Sequence, residues 1–107
     1  MKYYKHIYIS EDLAKKKDQI IRKLECNKLQ LNVHVITLPL ESNNQLEIIN
    51  SRILLQPSYP KDDLFVVGIV KSYDEALDYV EKTANEVYNN AEGMNIRSYI
   101  LKKEQED

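Results

Sequence analysis

The stretch that decides the fold is LFVVGIVKSYDEALDYV, which runs from Leu64 to Val80. Its first seven residues carry no charge, a pattern typical of a strand buried on both faces of a sheet. Ser72 and Glu75 then stand three apart, the spacing of a serine–glutamate capping box that opens a helix. Apolar residues continue at helical spacing and form one core-facing stripe of Leu77, Val80, Ala84, Val87 and Tyr88. The stretch therefore predicts a central strand followed directly by a long helix.

A second strand and helix precede this stretch at the start of the chain. The segment YYKHIYIS, Tyr3 to Ser10, is rich in β-branched and aromatic side chains, which favours a strand. Ser10 is followed by two acids, a typical helix start, because the hydroxyl can cap free amides and carboxylates oppose the positive end of the helix dipole. The apolar residues of this helix form one stripe of Leu13, Ile20, Ile21 and Leu24. We expect the helix to end at Asn27 or Lys28.

The middle of the chain predicts an antiparallel hairpin. The segment LNVHVITLPL, Leu31 to Leu40, indicates a strand that Pro39 stops, and ESNNQ follows as a polar loop. The segment QLEIIN, ending at Asn50, has strand-like content, so we favour a hairpin over a helix that begins at Asn44. The next segment, SRILLQPSYP, can form at most two helical turns before its prolines interrupt it.

The end of the chain fits two patterns. Ile96, Tyr99 and Ile100 are spaced as in a helix, whereas Ile96, Ser98 and Ile100 alternate as in a strand. Because the segment RSYIL is rich in strand-forming residues, we favour a short strand there, with the helix as the alternative. We expect residues 103–107 to be a disordered charged tail.

This layout predicts an α/β fold, a small sandwich with a mixed sheet of four to five strands and two main helices. The element order is β-α-β-β-short α-β-α, with a final strand, in a single domain over residues 1–102. The alternative is an α+β ferredoxin-like arrangement, which the short, proline-broken second helix weakens. Since consecutive strands joined by a helix are often neighbours, we also expect the strands that carry His6 and His34 to lie near each other, while the distance between the two histidines stays open.

The charge is unevenly distributed along the chain. Residues 1–28 hold eight basic and four acidic residues, so their net charge is +4. Because the whole chain has a net charge of −2, residues 29–107 carry −6. The candidate basic face on the first helix consists of Lys15, Lys16, Arg22 and Lys23. Such a face could contact a phosphate backbone, with Tyr4 and Tyr8 of the first strand stacking on bases. The asymmetry equally permits an acidic face that meets the basic face of another copy.

The two strand-to-helix turns form the second candidate site. Its residues are Ser10, Lys71, Ser72 and Tyr73, which lie where a helix amino end could bind a small ligand. Carboxylates already stand beside both turns, at Glu11 and Asp12 and at Asp74 and Glu75, and they oppose an anion. Plain helix capping is the competing interpretation of both turns.

The sequence lacks the patterns typical of phosphate-binding, metal-binding, disulfide-bonded and membrane-spanning proteins. The chain has two glycines, too few for a phosphate-binding loop, and two histidines without further ligands at metal-site spacing, so we expect no metal and no cofactor. Cys26 is the single cysteine, which excludes an intrachain disulfide and fits a reducing compartment. The start of the chain lacks an apolar signal segment and no stretch has 18 apolar residues, so we expect a cytoplasmic protein with no membrane contact.

The remaining function class is a protein interaction module without catalysis. The uneven charge and the eight tyrosines support self-association, for example as a homodimer, or docking on a protein partner. The alternatives are small-molecule binding at the strand-to-helix turns and nucleic-acid binding through the basic first helix. Nucleic acid is the less favoured partner, because the chain as a whole is acidic and no RNA-binding aromatic motif occurs. In general appearance the chain resembles short, single-domain bacterial proteins.

Overall fold

The computed structural model describes residues 1–39, 46–90 and 95–106. In these residues the strands are β1 (Lys2–Ile9), β2 (His34–Leu38), β3 (Glu47–Asn50) and β4 (Phe65–Val70). The α-helices are α1 (Lys17–Glu25), α2 (Tyr73–Asn90) and α3 (Ile96–Gln105). Short 3-10 segments cover Glu11–Lys16, Ser51–Leu55 and Lys61–Asp63. The predicted loop at 41–45 lies outside the described residues.

The sheet has the strand order β1-β4-β2-β3. Strand β1 pairs with β4 in parallel, while β4 with β2 and β2 with β3 pair antiparallel, so the sheet is mixed. The predicted hairpin of β2 and β3 is confirmed. Strand β4 is central, and its residues from Val66 to Val70 are all buried, as its uncharged sequence predicted.

Helices cover both faces of this sheet. Ile20 and Leu24 of α1 pack with Val66 and Ile69 in one hydrophobic cluster. The second cluster joins the other face of the sheet to α2 and α3 and contains Tyr4, Ile36, Leu38, Val67, Val70, Ala76 and Ile100. The predicted α/β sandwich is confirmed, whereas the ferredoxin-like alternative is wrong, because it would place the helices on one face.

A β-bulge in β4 sits beside Gly68. Ile36 pairs with Gly68 and Thr37 pairs with Val66, so Val67 is the extra residue on β4. A Cβ atom added at Gly68 would lie 3.0 Å from Cδ1 of Ile36. Glycine therefore lets the Ile36 side chain lie directly over the backbone of the central strand.

The first helix differs from the prediction at its start. Residues Glu11–Lys16 form a 3-10 segment, and the α-helix begins only at Lys17. The Ser10 side chain does not cap this segment. Ser10 is fully buried, and its Oγ accepts a hydrogen bond from the backbone N–H of Lys71 at 3.0 Å. The hydroxyl is used to join the ends of β1 and β4, so it is not available to the helix.

The predicted final strand is wrong, because this segment is helix α3. The Asn95 side chain caps it by accepting from the N–H of Ser98 at 2.8 Å, and Ile100 is buried in the second cluster. The prediction of a disordered tail from 103 is wrong for residues 103–105, which belong to this helix. Both carboxylate oxygens of Glu104 accept from the backbone N–H of Lys5, at 3.0 and 3.1 Å. This contact gives a partner to an amide at the irregular part of β1, between Tyr3 and Tyr8, and so anchors the chain end.

Candidate functional site

The carboxyl ends of β1 and β4 are a natural place to look for a ligand. These two strands are parallel neighbours, and the chain leaves β1 toward the α1 face but leaves β4 toward the α2 face. Such a switch point between neighbouring strands is where open α/β sheets generally bind ligands. The structure brings two of the predicted turn residues, Ser10 and Lys71, together at this point.

The side chains of Lys71 and Ser72 at this switch point are engaged by the protein itself. The Lys71 ammonium contacts the Asp12 carboxylate at 2.5 Å, and this hydrogen bond raises the pKa of Lys71. Ser72 caps α2, since its Oγ accepts from the N–H of Glu75 at 3.2 Å. Capping, the competing interpretation of the turn, is therefore correct for Ser72.

The carboxylate of Glu75 has a partner on β1. It accepts a hydrogen bond from the Tyr8 hydroxyl at 2.9 Å, and this bond is the main cause of the raised pKa of Tyr8. The Tyr8 ring also stacks on Tyr79 with 4.9 Å between centroids. The hydrogen bond and the stacking tie the edge strand β1 to α2.

The two histidines lie on strands that are not neighbours. Strand β4 separates β1, which carries His6, from β2, which carries His34, so the predicted closeness of the two strands is wrong. The chain reaches β4 only after the hairpin, yet β4 inserts between them because it is the most apolar strand. Within residues 1–39, 46–90 and 95–106, no three His, Cys, Asp or Glu side chains are grouped so as to hold a metal ion.

His34 predicts a pH dependence of stability. Its Nδ1 is buried without a hydrogen-bond partner among the described residues, and burial, with Arg52 nearby, lowers its pKa from 6.5. Between that lowered pKa and pH 6.5 the unfolded chain binds more protons than the folded chain. The contribution of His34 to the free energy of unfolding is therefore fully present above pH 6.5 and is lost as the pH falls through the lowered pKa. We expect the stability difference between wild type and His34→Gln to shift against wild type from about pH 7 to about pH 5. Denaturant titrations at each pH measure it; an NMR midpoint for the His34 ring above 6.5 would contradict it.

The basic face lies on the opposite side of the sheet from Tyr4 and Tyr8, the two tyrosines predicted to stack on bases. Lys15, Lys16, Arg22 and Lys23 are all exposed, on the 3-10 segment and α1. Tyr4 belongs to the cluster on the α2 and α3 side, and Tyr8 contacts α2. The structure therefore does not bring these two aromatic rings together with the basic residues.

A cleft between β1, α2 and α3 gathers several of the tyrosines. It measures about 290 Å³ and is lined by Tyr4, Tyr79 and Tyr99 together with Glu86 and Lys103. Burial raises the pKa of Tyr4 to about 12. The Tyr99 hydroxyl donates to Glu86 at 3.0 Å, and the Lys103 ammonium lies 4.8 Å from the centroid of the Tyr99 ring. These rings cover the rim of the core, and Glu86 binds both the Tyr99 hydroxyl and, at 3.8 Å, the Lys103 ammonium.

Two exposed leucines stand on the α1 side of the molecule. Leu29 and Leu31 are 61% and 71% exposed, in a segment flanked by Asn27 and Asn32, both with positive φ. Between them Gln30 is buried, and its Nε2 donates to the carbonyl of Ile20 at 3.2 Å. The predicted strand from Leu31 is wrong in its start, since the left-handed backbone at Asn32 delays β2 to His34.

These leucines are surrounded by cations. They line two adjoining concavities together with residues of α1 and the preceding segment. We define the basic surface as Leu29, Leu31, Lys16, Arg22, Lys23 and Lys28. Three of its charges, Lys16, Arg22 and Lys23, belong to the predicted basic face, whereas Leu31 was predicted to lie in a strand. The two asparagines that bracket KLQL were the available signal for the exposed segment.

A second apolar surface lies on the α2 side, along the outer strand β3. Its groove measures about 460 Å³ and is lined by Leu46, Glu47, Ile48, Tyr73, Leu77 and Val80. Leu77 is 44% and Tyr73 52% exposed. Asp74 and Glu81, three residues before and four after Leu77, lie on the same side of α2 and are exposed. We define the acidic surface as the groove residues with Asp74 and Glu81.

Tyr73 is the one residue of the predicted ligand turn that belongs to this acidic surface. Its ring lies 6.5 Å from the His34 ring, between centroids, and it lines the groove instead of the switch point. Its neighbour Ser72 is used in capping. The four predicted turn residues therefore separate into a joint between strands, a helix cap and a surface aromatic.

Comparisons with known proteins give no assignment: no family model, curated protein or solved structure matches this chain. Among the helices of the described residues, none combines the length and apolar character that crossing a membrane requires.

Proposed function

We propose that this protein is an interaction module that associates with further copies of itself and has no catalytic role. One observation carries the proposal. Four of the eight large apolar side chains that the described residues expose lie in two surfaces, one bordered by cations and the other by carboxylates. Grouped apolar side chains with a polar border are typical of protein contacts, whereas single exposed leucines need no explanation.

The energetics of such a contact favour this proposal. Fully burying one leucine contributes about 1.5–3 kcal/mol relative to leaving it exposed. Leu29 and Leu31 keep most of their surface in water in the isolated chain. An ordinary interface covers about 800 Å² per partner, a small share of the 7055 Å² accessible surface. Opposite charges around the apolar residues would align the copies and speed their encounter.

The alternative functions have less support. Nucleic-acid binding was proposed from basic residues beside stacking tyrosines, and these features lie on opposite sides of the sheet. Small-molecule binding at the turns would use Ser10, Lys71 and Ser72, whose polar groups already have partners.

Self-association is tested by the mass of the protein in solution. We expect sedimentation equilibrium to give masses above the 12.6 kDa of one chain, rising with concentration and falling with added salt. The variant Leu31→Ser should weaken association about tenfold or more, since a buried leucine contributes over 1.4 kcal/mol.

The matched control is Leu101→Ser on α3. Leu101 is also exposed, at 39%, but lies outside both surfaces, so its replacement should leave association unchanged. A wild-type protein that stays monomeric at every concentration up to several hundred micromolar and at low salt would contradict the proposal.

A further inference from the structure

We infer that the copies join head to tail, with the acidic surface of one chain docked on the basic surface of the next. This inference rests on the proposed self-association and adds the two surfaces and the kind of symmetry. The two surfaces lie on different faces of the sheet. Ile20 and Val33, which lie behind the basic surface, belong to the first hydrophobic cluster. Ile48 and Val80 of the acidic surface pack against the second cluster.

Charge argues against a two-fold dimer that pairs either surface with itself. Two acidic surfaces face to face would bring Asp74 and Glu81 of both copies together in a desolvated contact. Two basic surfaces would do the same with Arg22, Lys23 and Lys28. Opposed carboxylates and cations are obtained only when unlike surfaces meet.

Shape also pairs the unlike surfaces. Leu29 and Leu31 project from a segment that is held firmly, because buried Gln30 binds α1 through its side chain and accepts at its carbonyl from the Ser51 hydroxyl at 3.2 Å. The acidic surface is an open groove of about 460 Å³, in which Leu46, Leu77 and other apolar side chains lie beside polar groups. A rigid projection that enters a preformed groove loses little conformational entropy on binding.

Head-to-tail docking has a consequence that a two-fold dimer lacks. Each chain uses one surface for the copy before it and the other for the copy after it, so every open assembly keeps one free surface of each kind. Such heterologous contacts build rings when the rotation closes and open chains when it does not.

The test uses two variants, each with one damaged surface. The groove variant is Leu77→Gln, and the projection variant is Leu29→Gln combined with Leu31→Gln. All three leucines are exposed, so the fold should persist, and circular dichroism checks it. The substitutions are neutral, so the two damaged surfaces gain no attraction for each other. Should Leu77→Gln fail to fold, Asp74→Asn with Glu81→Gln replaces it as the groove variant.

We expect each variant alone to be monomeric and an equimolar mixture to form a one-to-one dimer and nothing larger, because the intact groove of one meets the intact projection of the other. Leu101→Gln should assemble as wild type does. A mixture that stays monomeric, or a single variant that still dimerises, would overturn the head-to-tail arrangement while wild-type association upholds the proposed function. A monomeric wild type would overturn both.

Discussion

Replacing Ile100 with alanine is expected to lower the free energy of unfolding by about 2–5 kcal/mol. Ile100 is 2% exposed and packs from α3 into the cluster with Ile36, Val67 and Ala76. Truncation removes buried methyl and methylene groups and leaves a cavity that the surrounding sheet and helix fill only in part. Small domains are stable by only about 5–15 kcal/mol, so the loss would be a large share of the total. Denaturant titration followed by circular dichroism measures it.

The adjacent residue is the control for this prediction. Leu101 lies on the same helix but is 39% exposed, so Leu101→Ala should cost much less than Ile100→Ala. Equal, small effects of the two substitutions would mean that α3 does not pack on the sheet in solution.

Truncating Tyr4 to alanine is expected to be at least as damaging, at about 3–5 kcal/mol, the usual cost of removing a large buried aromatic side chain. Tyr4 is 6% exposed on β1 and contacts the rings of His6 and Phe65, with centroids 5.4 and 6.0 Å apart. It also lines the cleft between β1, α2 and α3, so its loss would enlarge a space that already exists there. Thermal and denaturant unfolding both report the change.

Two substitutions isolate the cause of the Tyr4 effect. Tyr88→Ala removes the same kind of side chain from a position that is 86% exposed and should be nearly neutral. Tyr4→Phe keeps the ring in the cluster and should retain most of the stability. If Tyr4→Ala were no worse than Tyr88→Ala, β1 would not be held by this cluster.

The first of these predictions concerns α3, where the sequence fits two patterns equally well. Ile96, Tyr99 and Ile100 satisfied the helical spacing, and Ile96, Ser98 and Ile100 satisfied the alternating one. A bare sequence cannot separate them, because both patterns place the same two isoleucines on one side. The helix is stabilised by contacts remote in sequence, namely the packing of Ile100 in the second cluster and the hydrogen bond from the Lys5 backbone N–H to the Glu104 carboxylate.

The candidate surfaces show the same division between local and distant information. The cations of α1 and the carboxylates of α2 were visible as charge asymmetry in the sequence. The exposure of Leu29 and Leu31 beside those cations was not visible in the sequence. Apolar and polar residues alternate along most of KLQLNVHVITL, and this alternation is typical of a strand. The positive φ of Asn32 turns Leu31 away from β2, and only the folded backbone reveals it.

What the sequence by itself determined are the features that depend on neighbours along the chain. The uncharged run before Lys71 indicates a buried central strand, and Ser72 supplies the cap of the helix that follows. Pro39 ends β2, whose last residue is Leu38. The tertiary structure alone decided where β4 inserts, how Ser10 is used and which apolar residues remain exposed. Those outcomes depend on pairing between residues far apart in sequence, such as Ser10 with Lys71, 61 positions later, and local pattern carries no information about such partners.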